Sequence, residues 1–481
     1  MFCKADRKTP MTPPHTNAAR RKGWPARLLP GLPSGRALIL VIAIATSLAV
    51  ALLPEERREG LPFWTMRLNH YTAYVPSVAE WNRQHPEKRI DMQMIQQSAF
   101  ERRMLSGFLT GTPVADLLEV SSVVSPKAFL GPLDQVGFYD MTDRLHTEGI
   151  YEKINEASFA PYTSRGRIFG IPHDVHPVLL AYRADIVEAA GIDVREIETW
   201  DDYFRVMRPL MADHDGDGRP DRYSLEFSEI RAAEIVMLML QNGGEIFDEH
   251  GAPIFANERN AHVLATLATW VTGPGRSTVE LGGTASASAH RQRLDGAAIG
   301  WIAPDWLLGM WKIENPGLSG KLKVMPLPAW ERGGRRVSVA QGCMIGISKT
   351  SSQIDLAWEV ALHLYTSAEV AESLYKTNCI ISPVKPLWDE PFYDEPDPFF
   401  RGQAVGRLYI DHAPQIPIRT SSPYTTSAEQ YIGIAAMALR DYAEQHAIYD
   451  AEALKPEALR LLAKGQAELT RLMSRNLLLE E

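Results

Sequence analysis

The sequence predicts an α/β protein whose strands lie mainly parallel between layers of helices. Short apolar runs of strand length alternate with segments of helical periodicity. A strand–helix–strand–helix–strand order opens the body of the chain, and the alternation returns after residue 296. Apolar residues make up 45% and charged residues 23%, which suits a packed globular body. That balance excludes a disordered, collagen-like or multi-spanning membrane protein.

Residues 61–66 (LPFWTM) read as a strand and 75–85 as a helix with Val78 and Trp81 on one face. Residues 89–95 (RIDMQMI) alternate as a strand, 100–109 read as a helix, and 115–120 as the third strand. Later strands are expected at 297–302, 322–327 and 344–347, with helices at 355–366 and 368–375. From Pro456 onward, Leu459, Leu462, Leu469 and Leu472 recur at helical spacing, predicting an amphipathic helix packed on the body.

The charge is asymmetric. Residues 1–36 carry eight Lys/Arg and one acid, 37–51 carry none, and the remainder is acidic, with an overall net charge of −9. An acidic body argues against nucleic-acid binding. The apolar run 37–53 (ALILVIAIATSLAVALL) follows Arg20, Arg21, Lys22, Arg27 and Arg36, so the basic segment 1–36 stays cytoplasmic and the body is exported. The run lies between the lengths of a signal h-region and a membrane span. It is expected to act either as a retained anchor or as a signal cleaved near Ala49-Val50-Ala51.

In open α/β sheets ligands bind at the carboxyl ends of strands, which directs attention to 68–74, Ser98, 121–125 and 303–306. The chain has no G-x-S-x-G, no G-x-x-x-x-G-K and no H-E-x-x-H, and no two acids share a post-strand loop. It is therefore expected not to be an enzyme and to need no cofactor. His173 and His176 stand in a Pro-flanked stretch and read as hydrogen-bonding histidines rather than metal ligands. Cys343 and Cys379 are either a disulfide pair or two buried thiols. Asp213, Asp215, Asp217 and Asp221, with Gly216 at the sixth position, form the first part of a calcium-type loop. Ser224 replaces the bidentate Glu at its twelfth position, so the loop is either a structural calcium site or an acidic turn held by Asx hydrogen bonds. Asp305 and Trp306 follow the 297–302 strand. An aromatic face beside a carboxylate suits a sugar, whose C–H face stacks while its hydroxyls donate. Trp301 and Trp311 read as core.

The ordered segments resemble the family 1 extracellular solute-binding proteins, the sugar-type receptors of ABC importers that include maltose-binding protein. The resemblance covers most of 60–475. It rests on the opening strand through Trp64 and on Leu105-Ser106-Gly107 leading to Pro113-Val114-Ala115-Asp116-Leu117. It continues through 170–185 (GIPHDVHPVLLAYRAD), Thr199-Trp200-Asp201-Asp202-Tyr203, 296–306, Leu327-Pro328, 341–347 (QGCMIGI), Ala357-Trp358-Glu359 and Ile381-Ser382-Pro383. The resemblance implies a two-lobed periplasmic-binding-protein fold of type II. Lobe 1 would comprise 60–173 plus about 340–400, and lobe 2 about 178–337 plus 401–481. Hinge crossovers would fall near 121–125 or 174–176 and near 340–342. Carried over by position, the ligand residues are Asn69, His70, Tyr71, Ser98, Ser121, Ser122, Asp174, His176, Phe227, Ser228, Glu229, Asp305, Trp306, Gln341 and Gly342. The implied function is an extracytoplasmic, monomeric receptor that closes over a carbohydrate-like ligand and delivers it to permease subunits in the membrane. The alternative is a receptor of the same fold that serves a membrane sensor or holds a cell-envelope glycan.

Overall fold

A computed structural model of the chain describes residues 35–52, 59–283, 286–420 and 422–475. The chain divides into two compact units, Met1–Arg57 and Arg58–Glu481. The described part of the first is the helix Gly35–Leu52, which carries the apolar run. At 1.5 Å per residue it is roughly 27 Å long, under the ~30 Å of a bilayer core. Among the described residues no helix is long and apolar enough to cross a membrane.

The second unit is built on two main sheets. The first has the order Ile90–Met94, Leu61–Thr65, Leu117–Ser121, Cys343–Ile347, Ile171–Pro172. Its first three strands are parallel, and the last two join antiparallel. Period-two alternation makes two cores: Leu61, Phe63, Leu117, Ile345 and Ile347 pack on one face, and Leu118, Val120 and Met344 on the other. Helices Leu68–Gln84 and Gln97–Thr110 connect the parallel strands. The first begins seven residues before the expected 75. Its interior Pro76 gives up one backbone donor, and burial of His70, Ala73, Tyr74, Val78 and Trp81 carries the helix through.

The second sheet is mixed, with the order Leu322–Met325, Pro177–Arg183, Ala298–Pro304, Tyr223–Glu226, Thr278–Val279. Pro177–Arg183 is antiparallel to both of its neighbours along that order and to Ser338–Val339. Ala298–Pro304 and Thr278–Val279 each run parallel to Tyr223–Glu226. Helices Thr425–His446 and Ala451–Met473 pack on Glu258–Val271 at the back of this lobe. The last buries Leu454, Ala458, Leu462 and Leu469 and leaves Leu472 exposed.

The chain passes between the sheets at 173–176 and at 340–342, and not at 121–125. After Ser121 it stays in lobe 1, where Val124 and Phe129 join that core. The two crossovers are bonded to each other, with His173 N donating to Cys343 O (2.9 Å) and Ala340 N to His176 O (3.0 Å). Gly342 permits this approach: a Cβ there would stand 2.2 Å from Asp174 Oδ1. The chain then leaves lobe 1 near residue 384 instead of 400, because Phe392, Tyr393, Phe399 and Phe400 pack into the lobe 2 core.

Candidate functional site

Between the lobes lies a cleft of about 660 Å³. Lobe 1 contributes Arg67, Leu68, Asn69, His70 and Thr72 from the start of helix Leu68–Gln84, and Ser121 from the end of its strand. The crossovers contribute His176, Gln341 and Gly342, and strand Cys343–Ile347 its first residue. Helix Asp305–Glu314 contributes Trp306, Met310, Ile313 and Glu314, and Thr377 and Asn378 close the wall. Apolar side chains thus alternate with hydrogen-bonding groups, among them the charged Arg67, His176 and Glu314. Trp306 packs against the cores of both lobes. Its Nε1 and the Ser121 Oγ are buried donors with no protein partner among the described residues.

Beneath the cleft runs a chain of buried charged and polar groups. His176 Nδ1 meets Asp305 Oδ1 at 2.7 Å and its Nε2 meets Asp174 Oδ2 at 2.8 Å. Burial opposes a charge on His176, but the two flanking carboxylates outweigh it and push its pKa up to about 10. His176 is therefore an imidazolium donating from both nitrogens, held with φ at +49°. Asp174 also meets His173 Nδ1 at 2.7 Å. Burial works against the Asp174 carboxylate, yet the two histidines hold it well below the ordinary range. His173 stacks on His70 with centroids 4.2 Å apart, and His70 Nδ1 meets Glu119 Oε1 at 2.6 Å. This chain of contacts ties strand Leu117–Ser121, the first crossover and the start of helix Asp305–Glu314 together.

Of the residues expected at the ligand, Asn69, His70, Ser121, His176, Trp306, Gln341 and Gly342 line this one cleft. Asp305 lies below it, fully buried. One of its oxygens takes His176 and the Trp306 N–H (2.8 Å), and the other takes the Ile381 N–H (3.0 Å). The strand runs on to Pro304 and a helix starts at Asp305, so no open loop presents that carboxylate. Asp174 is buried in the same network. Ser122 braces the second crossover, accepting from Gly342 N at 3.2 Å. Tyr71 is half-buried and outside the lining, and Ser98 is exposed, donating to Gln96 Oε1 at 2.6 Å. Phe227 is core against Trp270, and Ser228 is buried beside Glu229, which pairs with Arg440 at 2.5 Å. Cys343 and Cys379 are separate buried thiols.

In the 213–221 loop each expected carboxylate accepts a backbone N–H of the loop. Asp213 takes Gly216 (2.7 Å) and Gly218 (2.9 Å), and Asp221 takes His214 (2.7 Å). Asp215 and Asp217 accept in the same way at 3.1 and 2.8 Å. Asp213, Asp215 and Asp221 also bring oxygens within 4.8 Å of one another; that group does not include Asp217.

Sequence reasoning missed Glu119, Arg67, Met310, Ile313, Thr377 and Asn378. Only Glu119 left a signal, an acid inside the apolar strand Leu117-Leu118-Glu119-Val120. It also missed the lobe 2 cluster on Glu226. That buried carboxylate takes Arg293 through both oxygens (2.8 Å each), Arg231 (2.6 Å) and the Trp301 indole N–H (2.6 Å). Trp301 and Trp311 are core.

Two α/β lobes joined by paired crossovers over an amphipathic cleft define a ligand-binding protein of the two-lobed, hinge-bending class. The family model for bacterial extracellular solute-binding proteins matches residues 68–371, and the chain belongs to that family. It is 26% identical over 373 residues to an arabinooligosaccharide-binding protein of Halalkalibacterium halodurans, covering 76% of this chain and 81% of that one. It is 22% identical over 371 residues to a lactose-binding protein of Rhizobium radiobacter, covering 74% and 82%. Its fold matches the sugar-binding protein MalE of Xanthomonas citri with a TM-score of 0.68 at 17% identity, covering 86% of this chain and 99% of that one.

Proposed function

We propose that the chain is the extracytoplasmic receptor of an ABC importer and captures an oligosaccharide between its lobes. The observation that carries this reading is the lining of the cleft. Trp306, Met310, Ile313 and Leu68 offer apolar surface for sugar C–H faces, while Asn69, His70, Ser121, Gln341 and Asn378 offer neutral hydrogen-bonding groups for hydroxyls. The buried, unpartnered Trp306 Nε1 and Ser121 Oγ call for a polar ligand or water rather than an apolar one. The arabinooligosaccharide-binding relatives support the choice of sugar class. Contacts from both lobes favour a closed state, which the permease subunits would read. Export would use the apolar segment as a signal, and the body would act as a monomer without nucleic acid.

A thermal-shift screen of the Arg58–Glu481 unit against pentose and hexose oligosaccharides tests this reading. A ligand at 100 times its Kd stabilises the native state by about 2.7 kcal/mol. One class of oligosaccharide is expected to raise the midpoint by several degrees, and no shift with any sugar would sink the proposal. A parallel arm with calcium tests Asp213, Asp215 and Asp221 as a structural site. The midpoint rises with calcium alone if they hold the ion.

A further inference from the structure

We infer that Glu119 acts on the ligand through His70, holding the imidazole with its proton on Nδ1 so that Nε2 presents a fixed lone pair to a ligand hydroxyl. Glu119 is a positioning residue in this scheme, and the inference rests on the carbohydrate reading of the cleft. A fully buried carboxylate in a central strand costs several kcal/mol unless its lone pairs are used. Glu119 spends one oxygen on His70 Nδ1 at 2.6 Å, while its Oε2 has no hydrogen-bond partner among the described residues. His70 lines the cleft, and its Nε2 has no protein partner among the described residues. The ring is held in place, because His173 stacks on one of its faces at 4.2 Å.

The groups around the pair come from every neighbouring element. Tyr74 lies one turn along the same helix, Arg67 just before it, His173 and Asp174 on the crossover, Cys343 on its strand and Tyr365 on helix Ile354–Thr366. Burial lowers the His70 pKa despite the nearby Glu119 carboxylate. Burial also opposes the Glu119 charge, but His70 and its N–H hold that carboxylate below its ordinary range. The pair is thus carboxylate and neutral imidazole at neutral pH. A neutral imidazole protonated on Nδ1 has an acceptor at Nε2.

The cleft has use for such an acceptor. Asp174 and Asp305 are committed to His176, and Glu314 pairs with His290 at 3.2 Å. Trp306 Nε1 and the Arg67 guanidinium are donors only. His70 Nε2 therefore supplies a strong, uncharged acceptor that favours ligands with a free hydroxyl at that point.

The test uses the full chain labelled with ¹⁵N-histidine, with His70 assigned by the signals lost in His70→Gln. At pH 7 the ¹⁵N shifts are expected to show a protonated Nδ1 and a bare Nε2. In the isosteric variant Glu119→Gln they are expected to move towards the Nε2–H tautomer. Arabinotriose binding is expected to weaken about tenfold in Glu119→Gln, the loss of one hydrogen bond. Wild-type affinity is expected to fall on acidification as His70 takes up a second proton. A wild-type His70 carrying its proton on Nε2, or a Glu119→Gln protein that changes tautomer yet keeps wild-type affinity, would overturn the inference. Because the tautomer is read without ligand, failure of the sugar reading and failure of this inference are told apart.

Discussion

Replacing Glu226 by Ala is expected to destabilise the protein by about 3–5 kcal/mol, the range for breaking a buried ion pair from one side. Glu226 gathers three donors in the lobe 2 core: Arg293, Arg231 and the Trp301 indole. Arg293 is fully buried beneath Trp311, 5.0 Å from its ring, and gives Glu226 two hydrogen bonds of 2.8 Å besides one to the Gly283 carbonyl (2.8 Å). Trp301 loses the acceptor of its indole N–H. Arg231 is buffered, because it also holds Glu280 (2.7 Å) and Glu234 (2.9 Å). The loss therefore falls on Arg293, which gives up two hydrogen bonds, and on Trp301. Urea unfolding of wild type and variant would measure it. Arg332→Ala, which removes an exposed pair with Glu198, is the control and is expected to cost under about 1 kcal/mol. Equal effects from the two substitutions would contradict the account of the lobe 2 core.

His176→Ala is the second large effect, again about 3–5 kcal/mol, because it leaves the buried carboxylates of Asp174 and Asp305 facing each other. Its pH dependence separates it from ordinary core damage. The folded-state pKa of His176 is raised to about 10 from an unfolded value of 6.5. Its contribution is complete below pH 6.5 and is lost as pH rises through about 10. Asp174 is depressed in the folded state, so its contribution is present above the ordinary carboxylate range and is lost in acid. The two together place maximum stability between those limits. Wild-type stability is expected to fall from pH 8 to pH 10.5, and the variant is expected to lack that alkaline decline. Parallel pH profiles of the two proteins would rule the network out as the cause.

Much of the fold was legible because strand runs here are short, apolar and separated by helical patterns. Strand 61–66 and helix 355–366 were placed within a residue or so of Leu61–Thr65 and Ile354–Thr366. Helix Leu68–Gln84 was less visible, since its first turn carries Asn69 and His70 and its interior holds Pro76, which normally marks a boundary. The cleft was legible where a residue type suits the chemistry directly, as with Trp306. Asp305 shows the limit of that reasoning. A carboxylate beside a tryptophan reads as a sugar acceptor, but its partner His176 stands 129 residues away. Only the fold brings them together. Glu119 shows the converse, an unremarked acid whose role depends on a histidine 49 residues earlier.

The most direct test of the central claim is a calorimetric titration of the Arg58–Glu481 unit and its Trp306→Ala variant with arabinotriose and maltotriose. Trp306 touches both cores and lines the cleft, so it should carry stacking that no other residue replaces. The account predicts one binding site per chain for one of these sugars, weakened roughly tenfold or more in the variant. Heat from neither sugar, or equal affinity in the two proteins, would contradict a carbohydrate bound between the lobes at Trp306.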